Sequence, residues 1–272
     1  MCRFFLAYNQ NVRMRDPGLD EAIRAAGGVS ELARRIGISQ PSVSNWDRVP
    51  AERVIAVEQA TNVSRTVLRP DLYGDATPPS SDIDETDIAR AQEYRLLAAL
   101  LARAPDAAFL KKIATLRGDM SPLGIAHIAL AEAAAEAKAT AVEREFFNLF
   151  IGVGRGELLP YGSYYLTGFL HERPLARLRD DLNALGIERA EGNAEPEDHA
   201  AILCEIMAGI ADGTFPAPPG RDKTIFENHM APWIGRFFAD LERAEEANFY
   251  RKVGTLGRVF IDIEAEAFAL PS

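Results

Sequence analysis

From Glu85 onward, apolar residues recur every three or four positions, and Gly or Pro interrupts the pattern at intervals. That spacing lines apolar side chains along one face of an α-helix. It predicts helices over 85–104, 106–115, 122–137, 140–151, 163–170, 174–185 and 196–211, with two more between 231 and 268. Shorter helical patterns precede them. Alternating β-branched runs bounded by hairpin turns are absent, so the expected fold is all-α. The stretch "YGDATPPSSDIDETD" collects Gly, Pro, Ser and Asp without apolar periodicity and reads as a linker. The expected division is a domain over 1–75, a linker over 76–87 and a larger domain over 88–272.

In the first domain, "GGVSELARRIGISQPSVSNW" has the spacing of two short helices joined by a sharp turn. Ser30 suits an N-cap, with Glu31 in the first turn that follows. Ala33 is small enough for close helix approach, and Gly37 permits the left-handed backbone of a tight turn. Ser39 caps the second helix, Pro41 falls early in it, and Val43 and Trp46 face inward. Recognisable patterning begins only after Met14, so Met14 is an alternative to Met1 as the start.

Three blocks stand out in the larger domain. The first, "EREFFNLFIGVGRGELLPYGSYYLTGFL", carries Phe146, Leu149 and Phe150 on one helical face. Glycines 152, 154 and 156 then break that helix. The run lacks a preceding strand and a following P-loop lysine, so it is a weak nucleotide-binding signal. The second block is "EPEDH", Glu195 to His199. Pro196 suits the first position of a helix, and Glu197 and Asp198 suit its positive end. His199 would head an apolar stripe of Leu203, Ile206 and Ile210, half-buried, with Asp198 on the neighbouring edge beside Ile202 and Glu205. A plain helix start explains the proline and the acids but not the histidine. The third block, "HMAPWIGRFFADL" with "FYRKVGTLGRVF", supplies core positions such as Phe237, Phe238, Leu241, Phe249, Val253, Leu256 and Phe260.

Charge separates the two domains. Ten Lys/Arg stand against nine Asp/Glu up to Asp75, and twenty against thirty-one after it, giving +1 and −11 of the total −10. The larger domain should repel nucleic acid and attract cations. Cys2 and Cys204 form no disulfide framework, and the four histidines show no ligand spacing, so no metal or other cofactor is expected. No apolar run approaches the roughly 20 residues of a membrane span. A soluble, cytoplasmic protein is expected.

Residues 17–75 resemble the Cro/CI-like helix-turn-helix, in particular its YdaS-type variant. The resemblance implies a second helix in the DNA major groove. Gln40, Ser42, Ser44 and Asn45 would then meet bases, and Arg48 and Arg53 would meet phosphates. A net +1 is weak for a phosphate-dependent reader, so a packing or dimerising module stays open.

Residues 85–268 resemble the TorD/DmsD family of redox-enzyme maturation chaperones, through "EFFNLFIG", "LLPYGSYY", "LARLRDDLNALGI", "EPEDH" and the closing block. The resemblance implies an all-helical protein that is not an enzyme. Its partners would be the catalytic subunit of a molybdenum-cofactor oxidoreductase and that subunit's twin-arginine leader. A receptor for such a leader needs carboxylates beside an apolar groove. By motif position Asp198 and His199 would bind the leader, with Glu195, Pro196 and Glu197 shaping the loop. Phe146, Leu149, Phe150, Tyr161, Ser163 and Tyr164 would line the adjacent surface. A DNA-binding regulator that senses the leader or the apoenzyme is the competing function.

Overall fold

A computed structural model describes residues 6–8, 16–73, 84–190 and 192–270. They fall into two compact units. The smaller holds α1 (Pro17–Ala26), α2 (Val29–Arg35), α3 (Gln40–Ser44), α4 (Val54–Thr61), α5 (Arg65–Leu68) and α6 (Pro70–Tyr73). Leu19, Leu32, Val43, Val54, Val57 and Leu68 form its core, with Ile38 and Trp46 packed against it. Gly37 has φ +70°, which a side chain would strain, and it turns the chain from α2 into α3. The Ser39 side chain caps α3, and Pro41 lies in its first turn.

Ser30 does not cap α2. Gly27 closes α1 in the left-handed conformation, and Gly28 (φ +125°) becomes the N-cap of α2 without a side-chain bond. With only two residues between the helices, Ser30 already lies inside the second one.

The larger unit contains α7 (Glu85–Ala102), α8 (Ala107–Ile113), α9 (Pro122–Glu136), α10 (Ala139–Phe146), α11 (Gly162–Thr167) and α12 (Arg173–Ala184). After these come α13 (Ala200–Ala211), α14 (Arg221–Ile225), α15 (Ile234–Arg243) and α16 (Phe249–Ala269). Asp84 caps α7 by accepting the Asp87 N–H at 2.8 Å, so residues 85–87 are its first turn and not linker. Acidic residues at that end are favoured by the cap and the helix dipole.

The axis of this unit is α13, which packs on α7. Apart from Glu205 and Ile210 it is buried on every side, whereas one buried stripe was expected. A helix this apolar all round belongs at the centre of a bundle. Its Cys204 thiol is fully enclosed, and burial pushes its pKa up. Nearby, Glu264 of α16 accepts from Arg90 (2.9 Å) and from the Tyr94 hydroxyl (2.9 Å), both on α7. Arg90 also reaches Asp222 of α14 at 3.2 Å.

Two departures from a plain helix set follow. Leu6–Tyr8 (β1) pairs antiparallel with Ile187–Arg189 (β2), so residues ahead of Met14 contribute to the larger unit. Two π-turns, Phe147–Ile151 and Phe226–Met230, end in bonds from Gly152 N–H to Phe147 O (2.7 Å) and from Ala231 N–H to Phe226 O (2.8 Å).

Candidate functional site

The two motif segments of the larger unit are zipped together. Tyr161 and His199 form an antiparallel bridge. The Gly162 N–H donates to Asp198 O at 2.9 Å, and the Ala200 N–H to Pro160 O at 2.8 Å. The π-turn after α10 leads into this zipper, because Leu158 N–H returns to Leu149 O at 2.8 Å. Gly156 permits that return; a Cβ there would lie 2.6 Å from the same carbonyl.

The pairing overturns the expectation that Pro196 opens α13. Residues 196–199 form a turn and His199 is held extended against Tyr161, so the helix starts at Ala200 and His199 is its cap. The cap bond runs from the Ala201 N–H to His199 Nδ1 at 3.1 Å. This requires a neutral imidazole, and burial pushes the His199 pKa down to about 4. The Tyr161 ring meets the imidazole edge-on at 5.0 Å.

The acids are not displayed on an open face as expected. Asp198 is 3% exposed, His199 8% and Glu197 7%. Asp198 Oδ2 accepts the Ser163 N–H at 2.7 Å, which ties the carboxylate to the start of α11. Glu197 accepts from Arg179 at 2.8 Å and lies 3.9 Å from Arg189. The half-buried Glu195 accepts the Tyr161 hydroxyl at 2.6 Å; burial first, and then this bond, raise the phenol's pKa.

Asp198 Oδ1 and Ser163 Oγ are buried without a protein partner. Asp198 borders a cavity of about 70 Å³ that is also lined by Leu166, Pro174, Arg177, Asn228 and His229. That volume takes a small head group or a few waters, not a peptide. The second π-turn contributes Asn228 and His229. His229 is fixed by Asp181 at 2.7 Å and by the Trp233 indole N–H, which donates to its carbonyl at 2.7 Å.

Tyr164 lines a different and larger hollow of about 390 Å³, with Arg155, Tyr165, Arg236 and Asp240. Arg155 stacks over Tyr164 at 5.2 Å, and Arg236 over Tyr165 at 5.0 Å. The Phe146 and Phe150 rings pack on each other and on Tyr250, and Leu149 is fully buried. These three residues thus position the loop through core packing and the Leu149 carbonyl. Sequence reading missed Arg155, Arg177, Asn228, His229 and Arg236. Arg155, His229 and Arg236 lie within the quoted blocks, but nothing in the local pattern singles them out.

In the smaller unit, Gln40, Ser42, Asn45, Arg48 and Arg53 are exposed and Ser44 is half-buried. Gln40 donates to Ser44 at 2.8 Å, and Arg48 lies 3.6 Å from Asp71. Arg34 and Arg35 both hold Glu31, keeping its pKa down at about 2.

Residues 117–239 match the family described as nitrate reductase delta subunit, and residues 19–77 match the one described as bacterial toxin YdaS. The chain is 24% identical to a chaperone protein TorD of Shewanella loihica, over 70% of this chain and 97% of the relative. It is 24% identical to TorD proteins of Vibrio cholerae (66% of this chain, 82% of the relative) and Aeromonas salmonicida (72% and 88%). The resemblance read from the motifs is therefore matched in both parts of the chain. These relatives are named as chaperones, in line with a non-catalytic role. Among the described residues, no helix is long and apolar enough to cross a membrane.

Proposed function

We propose that this protein is a cytoplasmic maturation chaperone. It binds the catalytic subunit of a molybdenum-cofactor oxidoreductase and that subunit's twin-arginine leader, and holds them until the cofactor is inserted and export proceeds. The observation that carries this reading is the zipper, which sets the buried, half-satisfied Asp198 carboxylate beside a hollow. An unpaired buried carboxylate oxygen is costly, and a guanidinium is well suited to satisfy it. Glu195, the least buried acid of the segment, is placed to take the second cation by giving up its tyrosine. In this proposal the task falls to the larger unit, which includes Leu6–Tyr8 and begins α7 at Glu85.

Titration calorimetry with a twin-arginine peptide tests the site. Asp198→Asn keeps an acceptor for the Ser163 N–H but removes the charge, and His199→Asn keeps an N-cap. Each should weaken binding about tenfold or more, equivalent to roughly 1.4 kcal/mol. Unchanged affinity in both, with unchanged melting, overturns the site.

A second reading, DNA binding by the smaller domain, is favoured by the exposed α3 behind the Gly37 turn. A gel shift at rising salt tests it, because phosphate contacts weaken steeply with ionic strength.

A further inference from the structure

We propose that the edge of β2 is a docking strip for an extended, cation-headed apolar peptide, and that β1 is its resident occupant. The inference rests on the leader-binding reading above and names the surface on which the peptide's backbone would lie. The register is Leu6 opposite Arg189, Ala7 opposite Glu188 and Tyr8 opposite Ile187. Among the described residues, β1 is the sole strand that β2 pairs with. Three rungs hold a strand weakly by themselves, so the main anchor is Leu6, which is buried in the larger unit.

The occupant has the chemistry of the proposed ligand. In sequence β1 is headed by Arg3, Phe4 and Phe5, a cation followed by an apolar run that continues through Leu6. Strand addition uses main-chain hydrogen bonds that any extended peptide supplies, and side-chain seats then select the sequence. Leu6 marks such a seat. The strip also adjoins the carboxylate cluster, since Arg189 of β2 lies 3.9 Å from Glu197. At that distance the pair is loose, and an incoming guanidinium can replace it. The chain's own segment competes at high effective concentration, so a free peptide binds with an affinity reduced by the fraction of time β1 is away.

Two variants of the full chain, titrated by calorimetry with a synthetic twin-arginine peptide, test this. In the first, Leu6→Asp empties the seat and should tighten binding about tenfold. The second carries Ala7→Cys and Glu188→Cys in a Cys2→Ser background. Oxidation should lock β1 in place and reduce peptide binding at least tenfold, and reductant should restore it. Unchanged affinity in Leu6→Asp and in the locked form overturns the docking strip while leaving the leader-binding reading intact. Absence of peptide binding in every form, including the parent chain, overturns both.

Discussion

The two units treat their charges differently. In the smaller one, most arginine pairs lie on the surface: Arg24 with Glu21, Arg34 and Arg35 with Glu31, Arg65 with Glu58; Arg69, buried against Asp71 and the Val49 carbonyl, is the exception. Surface pairs sit in high dielectric, contribute little to stability and exchange partners readily. In the larger one, Arg90, Tyr94 and Glu264 form a buried cluster joining α7 to α16. A buried group deprived of its partner is expensive. Paired surface charge in the first unit is therefore open to use in binding, while the Arg90–Tyr94–Glu264 cluster of the second is committed to the fold.

The largest effect that would sharpen this contrast comes from Glu264→Ala. It strands the Tyr94 hydroxyl and takes from Arg90 its most buried partner, leaving Asp87 and Asp222, and should cost about 3 kcal/mol in urea denaturation. A loss below about 1 kcal/mol would break the comparison.

Next comes pH at the zipper. His199 takes up a proton below about 6.5 when unfolded but only near 4 when folded. Stability attached to it is thus present above 6.5 and is lost as pH falls toward 4, by up to about 3 kcal/mol. Hydrogen exchange at the Ala201 and Gly162 amides, corrected for intrinsic rates, should quicken between pH 7 and 5, and His199→Asn should flatten that response. The readout must be local, because His127 works in the opposite sense. Its bond to Glu93 raises its pKa, so its contribution is full at low pH and fades as pH rises through the folded value.

The smallest expected effect on stability is that of Glu31→Gln. It releases Arg34 and Arg35 from their carboxylate and should leave the melting midpoint almost unchanged. If the smaller unit meets DNA, the same change should steepen the salt dependence of binding. A large fall in the midpoint would show that these surface pairs are structural after all.

Helix periodicity made most of the bundle legible, because apolar spacing and a local cap such as Ser39 are written within a few residues. The same holds for the Gly37 turn. Apart from the Ser30 cap, displaced by Gly27 and Gly28, what local pattern misplaced was set by distant partners. "EPEDH" looks like a helix start by composition, yet Pro160 and Gly162 hold its end extended. The π-turns depend on bonds one residue longer than the helical pattern signals. β1 has three residues and a partner about 180 positions away, so periodicity had nothing to detect. Of the expected site, Tyr161, Ser163, Asp198 and His199 do come together, while Phe146 and Phe150 pack elsewhere.

Cys204 has a practical corollary. Its enclosed sulfur lies on the central helix, so an alkylating reagent gains access only when the bundle opens. In a Cys2→Ser background, the speed of modification becomes a built-in clock for that opening. A client that clamps the bundle should slow the clock, giving a label-based readout of engagement even where no purified partner is at hand.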